Sequence, residues 1–226
     1  VAVKKKEDVV FQAEVVPIQF VNVPIRIVGD TSLIVHNWSE KAKRLMLENQ
    51  MKTTKKADKK AREPKDPFDD FIQSMYWLTE KPESTPEAFA EAVKNGAKWG
   101  FPVVAIKKAA NTAAYEQEWV KTRTGLKGTY FLKTEFGELA EIKGCVPDIR
   151  EDPVNIGKGK NRVSDLRYRA EFKNWYMDLT LSFNKNGVIS FDQIVNCINA
   201  GGGCYGIGEW RPQKDGVHGM FHIETI

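Results

Sequence analysis

The sequence predicts an α+β protein, with strands opening and closing the chain and helices filling its middle. Three observations carry this: a Val/Ile/Phe-rich stretch before residue 35, cap-marked and alanine-rich helical segments up to residue 120, and alternating apolar and polar residues after 165. With 226 residues, 42% of them hydrophobic and 11% aromatic, the chain can bury a core as one domain. That domain divides into N-terminal strands over 9–35, a helical and basic insertion over 38–120, and a C-terminal β-β-α-β unit over 165–226.

From Val9 to Val35, Pro17, Pro24 and Gly29-Asp30 interrupt an apolar run, which suits strands at a sheet edge better than a helix. Asn37, with Glu40 three residues on, reads as a capping box for a helix over 38–50. Thr85 followed by Pro86 starts a second helix that ends near Asn95-Gly96. A third runs from Val104 to Val120, rich in alanine. Arg167–Phe172 and Trp175–Phe183 alternate as two strands, with Asn174 between them, and are expected to pair as a hairpin. Asn186-Gly187 turns the chain, Ser190 and Gln193 form a capping box, and Phe191, Ile194, Val195 and Ile198 mark one apolar helix face. Gly201, Gly202 and Gly203 are expected to stop that helix, and Gly219 to Thr225 gives a last strand.

No apolar run is long enough to span a membrane, and no apolar signal core follows the N-terminal lysines, so the chain is expected in the cytoplasm with no membrane partner. Cys145, Cys197 and Cys204 have neither disulfide nor metal-type spacing, and no metal or small-molecule cofactor is expected.

Charge is concentrated. Residues 39–65 hold ten Lys or Arg against four acids, a net +6 in a chain of net +4, so the remainder carries −2. Lys41, Arg44, Lys52, Lys55, Lys56, Lys59, Lys60 and Arg62 are the candidate phosphate contacts there, because clustered cations release condensed counterions from a nucleic-acid backbone. The plainer alternative is a solvated face or a mobile loop. A second cluster, Lys158, Lys160, Arg162, Arg167 and Arg169, lies beside Gly157 and Gly159. Aromatics are interleaved: Trp38, Tyr168, Trp175, Tyr176, and Trp210 beside Arg211. A strand pattern puts Trp175 and Tyr176 on opposite faces, so Trp38 and Trp210 are the residues expected to be exposed for base stacking.

The stretch from Gly206 to Phe221 is punctuated by Gly206, Gly208, Gly216 and Gly219. It is neither a Walker A loop nor a dinucleotide fingerprint. Such a loop, with a G-x-G, then G-x-x-G and an apolar strand after the last helix of a β-α-β unit, resembles the signature loop of the RAMP superfamily. That superfamily comprises the RNA-binding backbones of CRISPR effectors and the endoribonucleases that process their guide RNA. The resemblance covers roughly 167–226; the spacing of the second glycine pair, with His218 inside it, departs from the usual pattern. It implies a ferredoxin-like (RRM-like) antiparallel sheet core, a lysine-rich insertion acting as a thumb, and loop glycines packed near bound RNA. The chain is also similar to small proteins common in phage and prophage genomes, which would put it in the cytoplasm of a bacterial host.

No nucleophile with a paired base is legible. His36, at a strand-to-helix junction, is the one candidate for acid or base catalysis, and a structural hydrogen bond is the plainer role for it. His218 and His222, four apart on a loop and strand, do not share a ligand face. Asp66, Asp69 and Asp70 read as a helix start, while Asp148, Glu151 and Asp152, set between Pro147 and Pro153, read as a loop. The expected function is non-catalytic binding of single-stranded RNA or DNA, with homo-oligomers forming along the strand. The alternatives are a metal-independent endoribonuclease using His36, and a phage structural or interaction protein with a basic arm.

Overall fold

The computed structural model describes residues 17–51, 65–156 and 163–225. Strands β1 (Phe20–Gly29), β2 (Leu33–Val35), β3 (Tyr76–Trp77), β4 (Trp99–Pro102), β5 (Tyr130–Lys133), β6 (Leu139–Ile142), β7 (Asp148–Ile156), β8 (Val163–Phe172), β9 (Tyr176–Asn184) and β10 (Phe221–Thr225) alternate with helices. These are α1 (Glu40–Met51), α2 (Pro67–Gln73), α3 (Pro86–Lys94), α4 (Val103–Glu116) and α5 (Phe191–Cys204). The α+β expectation holds, and no described helix is long and apolar enough to cross a membrane.

The largest sheet is antiparallel in the order β10-β1-β9-β5. Antiparallel neighbours alternate in direction, so β9 runs parallel to β10 with β1 between them, and β1 runs parallel to β5 with β9 between them. Helix α5 joins the first parallel pair, and α4 lies on the connection between the second, giving two interleaved β-α-β units. Ile25 and Ile27 of β1 and Met177, Leu179 and Leu181 of β9 share one buried core with Ile106 of α4 and Ile194 and Ile198 of α5. Burial of this apolar side of the sheet under two helices is the main stabilising term of the fold.

Two smaller sheets, β2-β8-β7 and β3-β4-β6, are antiparallel as well. Strands β1 and β2 bend together with β9 and β8: Val28 pairs with Tyr176 before the bend, and Leu33 pairs with Phe172 after it. The β1–β2 corner therefore carries one more residue than the β8–β9 corner, as a bulge does, and bulges sharpen strand bends. Asn174, at φ 53°, turns the shorter corner. Trp175 is buried there, its indole N–H donates to the Thr31 carbonyl at 2.8 Å, and its ring occupies the space a side chain at Gly29 would need.

Several expectations are corrected. Strands β8 and β9 exist but do not pair with each other, because the corner sends them into different sheets. The partner of β8 is β7, in the segment expected to be a loop; Pro153 is compatible with that strand because β7 is an edge strand. Strand β1 is internal to its sheet rather than at an edge: among the described residues, Pro24 pairs with β9, and the β10 ladder begins at Ile25. Helix α1 is capped by Ser39, whose Oγ accepts from Ala42 N, while the Asn37 side chain donates to the Met75 carbonyl. The three glycines after Ala200 lie inside α5, because Gly201 meets the α4 backbone and Gly202 meets Phe221 where a β-carbon would clash. The Thr85 cap, the Ser190–Gln193 capping box and the helix start at Asp66 are as expected.

Candidate nucleic-acid interface

Where β2 ends at Val35, the chain passes through His36, Asn37 and Trp38 into α1. This junction lies between two hollows. The first, of about 470 Å³, is lined by Trp38, Lys65, Asp165, Arg167, Tyr168 and Arg169. The second, of about 280 Å³, is lined by Lys108 of α4, Gly206, Gly208, Glu209 and Arg211. His36 lines both, so the two hollows adjoin at this residue, and together they make up the groove around His36.

Strand β8 supplies Asp165, Arg167, Tyr168 and Arg169 to the first hollow, and its ladder with β7 forms the floor behind them. Arg150 and Arg169 face each other across the ladder, and both reach Asp152, Arg150 Nε at 2.8 Å and Arg169 Nη1 at 3.4 Å. Arg150 also donates to Glu171 at 3.2 Å, and Glu171 accepts from Ser32 Oγ at 2.6 Å. Ser32 Oγ lies 2.9 Å from His218 Nδ1 on the glycine-rich loop. On the other side, Glu209 of the same loop stands 3.4 Å from His36 Nδ1 and 4.0 Å from Arg169. The hydrogen bond from His36 foremost, and then the Arg169 charge, hold the Glu209 carboxyl below its usual range despite partial burial.

The glycine-rich loop seals the free edge of β2. Glu209 N donates to the Ile34 carbonyl at 3.0 Å, and Gly219 N to the Ser32 carbonyl at 2.8 Å. Its glycines serve this intramolecular packing: Gly208, at φ +78°, presses on the Ile34 carbonyl, and Gly219, at φ +69°, on that of Ile207. Gly206 and Gly208 do line the second hollow, whereas Gly216 packs against the Trp210 backbone within the loop.

The groove thus gathers His36, Trp38, Arg167, Arg169 and Arg211 from the sequence candidates. Trp38 is 50% and Trp210 40% exposed, as expected, but Trp210 lines neither hollow. Arg44 projects from α1 beside Glu48, its i,i+4 partner. Lys41 lies in the first turn of α1. Lys52, Lys55, Lys56, Lys59, Lys60 and Arg62, with Lys158, Lys160 and Arg162, lie outside the described residues. The chain leaves α1 at Met51, and Lys65, the next basic residue described, lines the first hollow.

Sequence reasoning missed Glu209, Lys108 and the Arg150–Asp152–Glu171 cluster. Adjacency to Trp210 and Arg211 was the signal available for Glu209, and a lysine in an alanine-rich helix gives none. Among the described residues no group of His, Cys, Asp and Glu could hold a metal ion. Cys145, Cys197 and Cys204 are free thiols, and burial pushes Cys145 up to about 11. A further hollow beside α3 carries Glu80, Glu83 and Glu91 against Lys81, the wrong sign for a phosphate backbone. No family model matches the chain, and no curated protein is significantly similar to it in sequence.

Proposed function

We propose that the protein is a non-catalytic, single-stranded nucleic-acid-binding protein that uses the groove around His36 as its strand path and assembles along the strand as a homo-oligomer in the cytoplasm. The observation that carries this reading is the convergence of half-exposed Trp38 with Arg167 and Arg169 at the root of the lysine-rich segment. Single-strand binders combine these two elements, a stacking ring and a cationic track. The sheet order β10-β1-β9-β5 with interleaved β-α-β units supports a ferredoxin-like core, and with it the resemblance to the RAMP superfamily. On that core the lysine-rich segment is an insertion between β1 and α4.

The test is anisotropy with labelled single-stranded RNA, single-stranded DNA and duplex DNA across a salt series, beside a variant with Lys55, Lys56, Lys59 and Lys60 changed to alanine. Single strands bind with a steep salt dependence that flattens in the variant, and the preferred strand names the substrate. Absence of binding at low salt refutes the reading and turns attention to a protein partner for the basic arm. The His36–Glu209 pair favours one second reading, a metal-independent endoribonuclease. RNA cleavage by the wild type that is lost in His36→Ala, with binding retained, would establish it.

A further inference from the structure

We infer that the first hollow contains a subsite for one phosphate group, held by Arg167 and Arg169 beneath Trp38; this deepens, and rests on, the strand-binding reading. Arg169 is 3% exposed, and its guanidinium is poorly satisfied. Asp152 is shared with Arg150, which takes the shorter bond, and Glu209 stands at 4.0 Å. Arg169 Nε has no partner at all, the one cationic atom in that condition among the buried side-chain atoms described. A guanidinium offers five donors, and a buried donor left unpaired in a native fold calls for a partner that the chain does not supply, a water or an anion.

Arg167 follows on the same face of β8, two residues away, and lines the same hollow. Asp152 stands opposite Arg167 in the ladder yet takes Arg150 and Arg169, so Arg167 has no carboxylate within ion-pair distance among the described residues. The acids of the groove are already engaged: Asp70 and Asp165 hold Lys65, and Glu209 holds His36. The spare positive charge of the hollow is therefore at Arg167, with the unfilled donors of Arg169 behind it. Paired guanidinium forks match the oxygens of a phosphate in a way that lysine does not. A base attached to that phosphate has the half-exposed Trp38 ring, which lines the same hollow, to stack on.

Inorganic phosphate is the first probe, titrated at matched ionic strength against chloride while the arginine Nε–H signals are followed by NMR. A saturable shift of the Arg169 signal with phosphate, absent with chloride and lost in Arg167→Ala, is expected. An unmoved Arg169 signal overturns the subsite, whatever the strand does. In parallel, Arg167→Ala and Arg169→Lys weaken binding of a labelled single strand about tenfold, with an unchanged unfolding midpoint for Arg167→Ala. Full strand affinity in both variants overturns the subsite and leaves the strand reading standing. A phosphate shift without any strand binding keeps the subsite and refutes the strand reading. Should Arg169→Lys fail to fold, Arg167→Ala carries the test.

Discussion

The face of the four-stranded sheet opposite α4 and α5 and the groove around His36 carry similar residues and differ in what neutralises them. On the sheet, Arg26 donates to Asp178 at 2.7 Å and lies over the Tyr176 ring, and Lys143 reaches the same carboxylate at 3.1 Å. Lys133 donates to Asn22. Phe20 and Phe131 pack against each other, with ring centroids 6.0 Å apart. In the groove, Arg167 and Lys108 pair with no carboxylate among the described residues, and Trp38 stands half exposed. A count of cations and aromatics does not separate the two regions; the ion pairs do. An anion arriving at Arg26 or Lys143 must first displace the Asp178 carboxylate, whereas at Arg167 it meets an unspent charge.

Removing one carboxylate from each region gives the largest contrast. Asp152→Asn leaves two arginines without their shared anion in a buried site, and breaking such a pair costs about 3–5 kcal/mol. Asp178→Asn, on the partly exposed sheet face, costs about 1 kcal/mol. Urea unfolding of both variants measures the two directly. Equal losses would mean that the groove floor is solvated and that its arginines are ordinary surface residues.

Strand affinity sharpens the same comparison at a smaller energy. Trp38→Ala loses about 1–3 kcal/mol of single-strand affinity, the value of one stacked base. Phe131→Ala on the sheet loses none, although both rings are exposed to a similar degree. Anisotropy at one fixed salt concentration suffices. A loss at Phe131 with none at Trp38 would move the strand to the sheet face.

What the sequence made legible follows from the range of each interaction. Helix caps at Thr85 and Ser190 act over three residues and were readable, as was the exposure of Trp38 and Trp210 beside charged neighbours. The bend was not. Arg167–Phe172 and Trp175–Phe183 have the pattern of a hairpin, and the corner that sends them into separate sheets is packed by Trp175 against Gly29, far away in the chain. Strand β7 was hidden for a related reason: Pro153 argues against a strand until one knows that it is an edge strand. Of the groove, the arginines were visible as charges, but which of them stay unpaired depends on Asp152 and Glu209, and those contacts cross sheets and loops.

The smallest effects are those of pH, and they run in opposite directions at two places on the four-stranded sheet, on β9 and on β10. The hydrogen bond from Arg26, then that from Lys143, hold the Asp178 carboxyl below its ordinary value despite some burial. Its contribution is complete above about pH 4 and is lost as pH falls through its lower folded value. His222 of β10 stands 2.7 Å from Asp30 at the corner after β1, and the hydrogen bond to Asp30, aided by Glu224, raises its folded value. Its contribution is complete below about pH 6.5 and is lost as pH rises through that raised value. Thermal unfolding midpoints at about pH 5.5 and about pH 8 therefore differ less in His222→Gln than in the wild type. An identical difference would show that the Asp30 contact adds nothing in solution. The corner that joins the four-stranded sheet to the groove would then rest on Trp175 and on the hydrogen bonds that tie Thr31 and Ser32 to the glycine-rich loop.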